Sequence, residues 1–505
     1  MTKLRNLARR ITQPEPDEKG AALPFVAVLL VLLLGITAFA VDLGWVYLNG
    51  ARLQRAADSS ALAGVVYLPG DIPNVIANAV NGANANGWDI GSVNGAPVGG
   101  GGPEDLDWRS LADNKLEVTL STNVPTFFLK VLGINDFDIS RVATAEYVKP
   151  VPIGSPDPCF GIGNSGLNGG DCNPATAQRF WAAISGPLTN KWNGDAYATR
   201  FWDDDGSWNQ EFANTEYRIT PQPGYYLAID VPTGVSDLNV DVYDAGFYQR
   251  TGFNNETGDL GQDTGGGADT HFQFYRFDST PLDPTDNVAM PSASCSSSTG
   301  RFDIASGANS STYKNQWVRL CRLAGSVPAG IYVVRVWTDG NDGGTNQYAV
   351  RANTGSAANA RVYGINDISI FTNQSGTSTL HVAEVAQAHQ GKTLELRFYD
   401  PGEDDANAYL TVKNPGGGTA TCDWVAKNEA GTIVRSGSGN CRIQTSNGSS
   451  FFNGLWVTAQ VAIPDAYTCT TNCWWKMVIE NSQPHDRTTW AARIIGNPVR
   501  LVPNE

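Results

Sequence analysis

Between Lys19 and Asp42 the chain carries no charged side chain, and the run Ala21–Val41 (AALPFVAVLLVLLLGITAFAV) is almost wholly apolar. Few fates are open to such a run. As a helix its 21 residues measure about 31 Å, the thickness of a bilayer's hydrocarbon core. The core of a signal peptide is shorter, roughly 7–15 residues. Pro24 is the one helix breaker inside it, and it falls in the first turn, where a missing N–H is tolerated. Lys3, Arg5, Arg9, Arg10 and Lys19 precede the run and Asp42 follows it. That asymmetry predicts a cytoplasmic basic leader (1–20), a segment 21–41 whose partner is membrane lipid, and a body outside the cell. A second fate stays open: Ala38-Phe39-Ala40 has the A-x-A form of a cleavage site, and a cut after Ala40 would free the body.

Helical periodicity does not stop at the membrane boundary. Leu43, Val46, Gly50, Leu53, Ala57, Ala61 and Gly64 recur three or four apart. The reading is one transmembrane and stalk helix over 21–64, with a stripe of small residues suited to packing against partner membrane helices.

These residues resemble the TadE/TadG-like proteins of Flp (tight-adherence) pilus assembly. The resemblance lies in Lys19-Gly20, the apolar span, Asp42-Leu43-Gly44, Tyr47, and Leu53 through Gly64 (LQRAADSSALAG). It covers this N-terminal region and, more loosely, 65–148. It implies a role in pilus assembly or adhesion, exerted by binding and scaffolding, with pilus-assembly proteins as partners. Two features depart from relatives of this kind. Pilin-like members carry Glu five residues after a cleavage glycine, and the fifth residue after Gly20 is Phe25. No D-x-S-x-S metal motif of a von Willebrand A domain occurs.

The remainder reads as mainly β. Residues 65–150 form a small α+β unit: a helix in IPNVIANAVNGANANG, a loop at PVGGGGPED, and a strand in KLEVTLST with Leu116, Val118 and Leu120 on one face. A short helix in PTFFLKVLG stopped by Gly133 and a strand in FDISRVATAEYV complete it. Four prolines in VKPVPIGSPDP open a Pro/Gly-rich linker, 151–178, read as an extended spacer. Two antiparallel β-sandwich, jelly-roll-like domains follow, over 179–355 and 356–505. They look duplicated. Tyr225–Gly246 and Thr379–Gly402 share alternation, a Gly turn and a closing Tyr-Asp-x-Gly; NQWVRL matches NGLWVTAQV; Tyr348–Arg351 and Trp490–Arg493 keep one offset. Paired aromatics such as Trp317/Trp456 and Tyr348/Trp490 read as core.

All eight cysteines lie beyond residue 150. Short loops favour neighbours, which predicts disulfides Cys159–Cys172, Cys295–Cys321, Cys422–Cys441 and Cys469–Cys473 and places the body in an oxidising compartment. The formal net charge of −15 removes nucleic acid from the partner classes.

No nucleophile elbow, H-E-x-x-H or phosphate loop is present, so the chain is expected not to be an enzyme and to need no cofactor unless Ca²⁺. Acidic turns supply the Ca²⁺ candidates: Asp339, Asn341 and Asp342, and Asp400, Glu403 and Asp404. Trp202 and Trp208, in an acidic loop, are candidates for an exposed platform that stacks on a sugar. The rival readings are therefore an anchored glycan-binding or adhesive surface protein and, less favoured, a secreted hydrolase.

Overall fold

The computed structural model describes residues 22–68, 72–98, 102–112, 114–147, 151–164, 178–186, 189–198, 200–202, 211–213, 224–244, 252–253, 260–261, 269–276, 287–290, 295, 300–304, 316–339, 345–355, 359–372, 376–402, 407–481, 486–495 and 499–503. They fall into two compact units. The first holds the chain up to Tyr147 together with Val499–Glu505, and the second holds essentially Val148–Pro498.

In the first unit, helix α1 (Ala22–Gly64) is continuous over 43 residues, as the periodicity predicts. Helix α2 (Ile72–Ala85) follows. A six-stranded sheet is built from β1 (Ile90–Val93), β2 (Ala96–Pro97), β3 (Glu104–Ala112), β4 (Lys115–Pro125), β5 (Asp136–Tyr147) and the C-terminal strand Val499–Val502. Its order is β2-β1-β3-β4-β5 and then the C-terminal strand; β1 and β3 are parallel and the other neighbours antiparallel. Leu116, Val118 and Leu120 of β4 are fully buried. They meet Leu53, Ala56, Ala57 and Ala61 of α1 and Val75, Ala79 and Ala83 of α2 in one core. Each of the three larger β4 side chains contributes about 1.5–3 kcal/mol by leaving water. Small residues set the spacing: a Cβ on Gly82 would stand 2.9 Å from Ser60 Cα, and one on Gly64 2.7 Å from a Leu116 methyl.

Two details differ from the sequence reading. The small-residue stripe from Leu53 to Gly64 is buried against the chain's own sheet and second helix, so that part of it is not available to a partner helix. Residues 499–502, read as part of a second sandwich, complete this sheet beside β5, where Arg500 pairs with Glu146 at 2.7 Å. The whole of Val148–Pro498 is thus inserted between two neighbouring strands of the first unit.

Among the described residues the second unit contains two rolls, each built on eight principal strands; Arg361–Ile365 extends the first at its edge, and Thr421–Lys427 with Ile433–Asn440 extends the second. The principal strands of the first are β6 (Gln178–Ser185), β7 (Tyr225–Val231), β8 (Ser236–Asp244), β9 (Asp269–Tyr275), β10 (Arg301–Ile304), β11 (Trp317–Ser326), β12 (Gly330–Asp339) and β13 (Thr345–Asn353). Those of the second are β14 (Asp367–Thr372), β15 (Gly376–Glu384), β16 (Thr393–Tyr399), β17 (Ala408–Lys413), β18 (Arg442–Ser446), β19 (Trp456–Ala462), β20 (Trp474–Asn481) and β21 (Asp486–Ile495). In the first roll the neighbours run β6-β13-β8-β11 and β7-β12-β9-β10. In the second they run β14-β21-β16-β19 and β15-β20-β17-β18. The orders are identical once eight is subtracted, and they are jelly-roll orders. The duplication is real at the level of topology.

The two rolls are not separate domains. Their first strands, β6 and β14, pair antiparallel with Ile370 opposite Ala182 and Phe371 opposite Trp181. One long sheet therefore runs through both rolls, and each roll closes it with a shorter sheet of its own. A single hydrophobic core reaches from Val151 to Ala492. The expected spacer belongs to it as well: Val151, Ile153 and Phe160 are buried, Gly154 bridges His381 and Cys159 bridges Arg351. Proline removes ladder donors but leaves edge positions open, and the apolar residues between the prolines take them.

Disulfides join Cys295 to Cys321, Cys422 to Cys441 and Cys469 to Cys473. Cys159 is also disulfide-bonded, and Cys172 lies outside the described residues. Replacing both Cys422 and Cys441 by Ser should lower the stability of the β-rich unit by about 3 kcal/mol, the value for a loop of this length. The shift in the urea midpoint of that unit's unfolding measures it, and an unchanged midpoint would contradict a structural role for the bridge.

Candidate functional site

The helix α1 has two halves with opposite surroundings. From Phe25 to Val41 its large apolar side chains are exposed on every side, Leu29, Leu30, Val31, Leu32 and Leu33 all by more than half. It is the one helix among the described residues that is long and apolar enough to cross a membrane. Thr37, the polar residue in the run, returns its hydroxyl to the carbonyls of Leu33 and Leu34, so its donor is bonded within the helix. From Asp42 onward the helix is engaged by the sheet.

Asp42 marks the change. Its carboxylate is fully buried and accepts the backbone N–H groups of Phe127, Phe128 and Leu129 at 2.8, 2.9 and 2.7 Å. These are the donors at the start of the 3-10 turn Leu129–Leu132, between β4 and β5. Burial opposes ionisation of Asp42, but the three N–H donors and nearby Lys130 outweigh it and hold the carboxyl below the usual carboxylate range. The Trp45 ring packs on Phe127 at 5.4 Å between centroids.

The rest of the motif follows with a role for each residue type. Gly50 lies under Arg141, whose guanidinium a Cβ would meet. Gln54 donates to Asp58 at 2.9 Å and to the Val142 carbonyl of β5 at 3.0 Å. Leu53, Ala56, Ala57 and Ala61 fill the core, and Gly64 admits Leu116. Tyr47 remains exposed. The spacing L-Q-x-A-A-D-x-x-A-L-A-G is thus a helix face shaped to dock on β4 and β5. What the sequence alone did not supply is the partner of Asp42, which lies 85–87 residues away in the chain.

The remaining candidates separate. Asp400 is buried in a left-handed turn, φ 56°, and accepts the Gly454 N–H at 2.7 Å, a turn-holding role. Glu403 and Asp404 lie outside the described residues. Asp339 ends β12, while Asn341 and Asp342 lie outside. Among the described residues no group of three or more His, Cys, Asp or Glu side chains is placed to hold a metal ion. Trp202 ends the short strand Arg200–Trp202, with nothing described of its side chain, and Trp208 lies outside the described residues.

Trp317 and Trp456, expected in the core, are half-buried on the outer face of the long sheet. Strand alternation explains this: Tyr243 and Tyr399 stand opposite them, and Phe398, next along the chain, is the residue that points inward. Trp490 and Tyr348 are core residues as expected.

Around Trp456 a groove of about 440 Å³ is lined by Glu395, Arg397, Lys427, Glu429, Trp456 and Arg493 among others. Several of its charges have partners in or beside its walls. Arg493 binds Glu395 at 2.6 Å, buried Lys191 binds Glu429 at 2.5 Å, and the Arg397 guanidinium covers the Trp456 ring at 4.1 Å. Arg351 covers Trp317 in the same way at 4.2 Å.

Residues 20–67 match the family model described as putative Flp pilus-assembly TadE/G-like, the same stretch that forms α1 and the short turn after it. No curated protein matches the chain. Among solved structures, the N-terminal CBM22-1-CBM22-2 tandem domain from Paenibacillus barcinonensis Xyn10C is similar at 11% identity, over 52% of this chain and 80% of that one, with a TM-score of 0.12. Infectious bursal disease virus, Gx strain, is similar at 12% identity, over 64% and 76%, with a TM-score of 0.10. At such scores neither bears on fold or function.

Asp42 gives a pH-dependent prediction. A carboxyl held below its ordinary value stabilises the fold above that value, near 3.9, and the contribution is lost as pH falls through the lower folded value. Asp42→Ala should therefore expose the Phe127, Phe128 and Leu129 amides, with hydrogen exchange faster by roughly tenfold or more. The wild-type chain should show the same loss only on strong acidification. Equal protection in both proteins at neutral pH would remove the proposed cap.

Proposed function

We propose that the chain is a membrane-anchored component of a Tad/Flp-type pilus-assembly or adhesion system. It holds a disulfide-bonded, β-rich body outside the cell and acts by binding and scaffolding, without turnover. The observation that carries this reading is the single unbroken α1, bare and apolar up to Val41 and locked into the first unit from Asp42 onward. The family match over the same residues supports the pilus-assembly context.

The continuity of α1 also weighs against release by cleavage after Ala40. That cut would fall inside a helix, two residues before the carboxylate that caps the β4–β5 turn. The basic leader supports a cytoplasmic N-terminus, and the disulfides agree with an oxidising compartment for the body.

The test is topological. In intact cells stripped of their outer layers, added protease should degrade the body while an N-terminal tag stays protected. The full-length chain should remain with membranes through alkaline extraction. A soluble mature protein beginning at Val41, or a body protected from protease, would refute the reading. Cross-linking of the surface-exposed body should recover pilus-assembly proteins in preference to glycans.

A further inference from the structure

The turn between β4 and β5 carries its apolar side chains outward. Phe127, Phe128, Val131 and Leu132 are 48%, 51%, 84% and 77% exposed, and Ile134 is exposed beside them. Lys130 is the one charged residue in the segment 127–134. Single exposed apolar residues need no explanation, but a contiguous group of this kind marks a contact surface.

Its position says what the contact is. The turn is bound by Asp42 through three N–H groups, and Asp42 is the first residue beyond the apolar run. The turn therefore lies at the level of α1 where hydrocarbon gives way to headgroups. At that level α1 also exposes Leu43 and Tyr47 and sets Trp45 against Phe127, the aromatic composition of a membrane interface.

We propose that Phe127, Phe128, Val131 and Leu132 form a wedge that inserts into the outer interfacial layer of the bilayer that α1 crosses. It gives the first unit a second lipid contact beside its helix. The proposal rests on the reading that residues 21–41 span the membrane.

Three further features fit lipid as the occupant. Much of the turn's backbone is bonded from within. Asp42 takes the first three N–H groups, Val131, Gly133 and Ile134 donate to the carbonyls of Phe128, Lys130 and Leu129, and Thr126 binds Ile134 and Asn135. With six N–H groups of the segment bonded inside the protein, the turn enters a medium of low polarity at a reduced cost. The exposed Lys130 supplies a cation on a flexible stem, able to reach lipid phosphates while its neighbours sit deeper. The patch is also continuous with the lipid-facing surface of α1. A rod alone is free to rotate about its axis, and a wedge beside it fixes that rotation.

The experiment uses the full chain in vesicles of phosphatidylethanolamine and phosphatidylglycerol. Val131→Cys carries an environment-sensitive fluorophore; Val131 is so exposed that the change leaves the core untouched, and no cysteine among the described residues is free. Leu32→Cys, in the middle of the apolar run, carries the same label. Nitroxides sit on the lipid acyl chains, shallow or deep. A wedge buried about 5–10 Å below the headgroups predicts a blue-shifted Val131 label, quenched several-fold more by the shallow nitroxide than by the deep one. The Leu32 label should show the reverse preference. If the Leu32 label is quenched and the Val131 label is not, the wedge fails and the anchor stands. If neither is quenched, both fall. A blue-shifted Val131 label that no lipid nitroxide reaches means that protein covers the patch, and that also overturns the wedge.

Discussion

A buried carboxylate with no basic side chain in direct contact is costly unless its oxygens are filled, and in Asp42 they are filled by three backbone donors from a turn far away in sequence. Nearly everything distinctive about the first unit depends on that arrangement. A long helix has no intrinsic reason to keep one orientation toward a sheet. The cap ties the first turn after the apolar run to the β4–β5 turn, and Gln54, Ala57 and Gly64 further along hold the helix onto β4 and β5. The small residues of the stripe allow close approach, and Asp42 fixes where along the helix that approach begins.

The second unit solves a different problem. A sandwich of short strands leaves edges that invite pairing with other chains. Here the duplicated rolls pair their first strands, β6 and β14, and each hides the other's edge in one long sheet. The outer face of that sheet is closed by Arg–Trp stacks and by ion pairs such as Arg351–Asp241 and Arg493–Glu395. An exposed aromatic face would be adhesive without selectivity; covering each indole with a guanidinium leaves a polar surface held in one conformation.

Local signals in the sequence were good guides wherever the determining contacts are local. The apolar run and its helical continuation gave α1 almost to the residue. The alternation in KLEVTLST gave the buried face of β4, and Gly133, at φ 85°, does stop the short turn before it. Three of the four expected cysteine pairs form as loop length suggests, and the fourth reaches Cys172, outside the described residues. The failures share one cause. The partner of Asp42, the return of Val499–Val502 to β5, the burial of Val151 and Ile153 between prolines, and the union of β6 with β14 all depend on residues far apart in the chain. The expectation that Trp317 and Trp456 lie in the core fails for a related reason. Alternation fixes which residues share a face, but which face is covered depends on the second sheet, and no strand carries that information alone.

The same long-range topology determines how the body is held. The chain leaves the first unit at Tyr147 and returns at Val499, and these two residues are register partners across β5 and the C-terminal strand. The inserted unit is therefore attached through the open end of one strand pair. A pull on the body acts on that end first and opens the pair one residue at a time, a weaker mode than sliding strands past each other. Only four register pairs resist on the C-terminal side, reinforced by Arg500 on Glu146 at 2.7 Å. On the other side β5 is held to β4 through eleven. By that count of pairs, the C-terminal strand is the weaker of the two attachments. The other connects the body to α1 through β5, whose far end begins beside the turn that Asp42 holds.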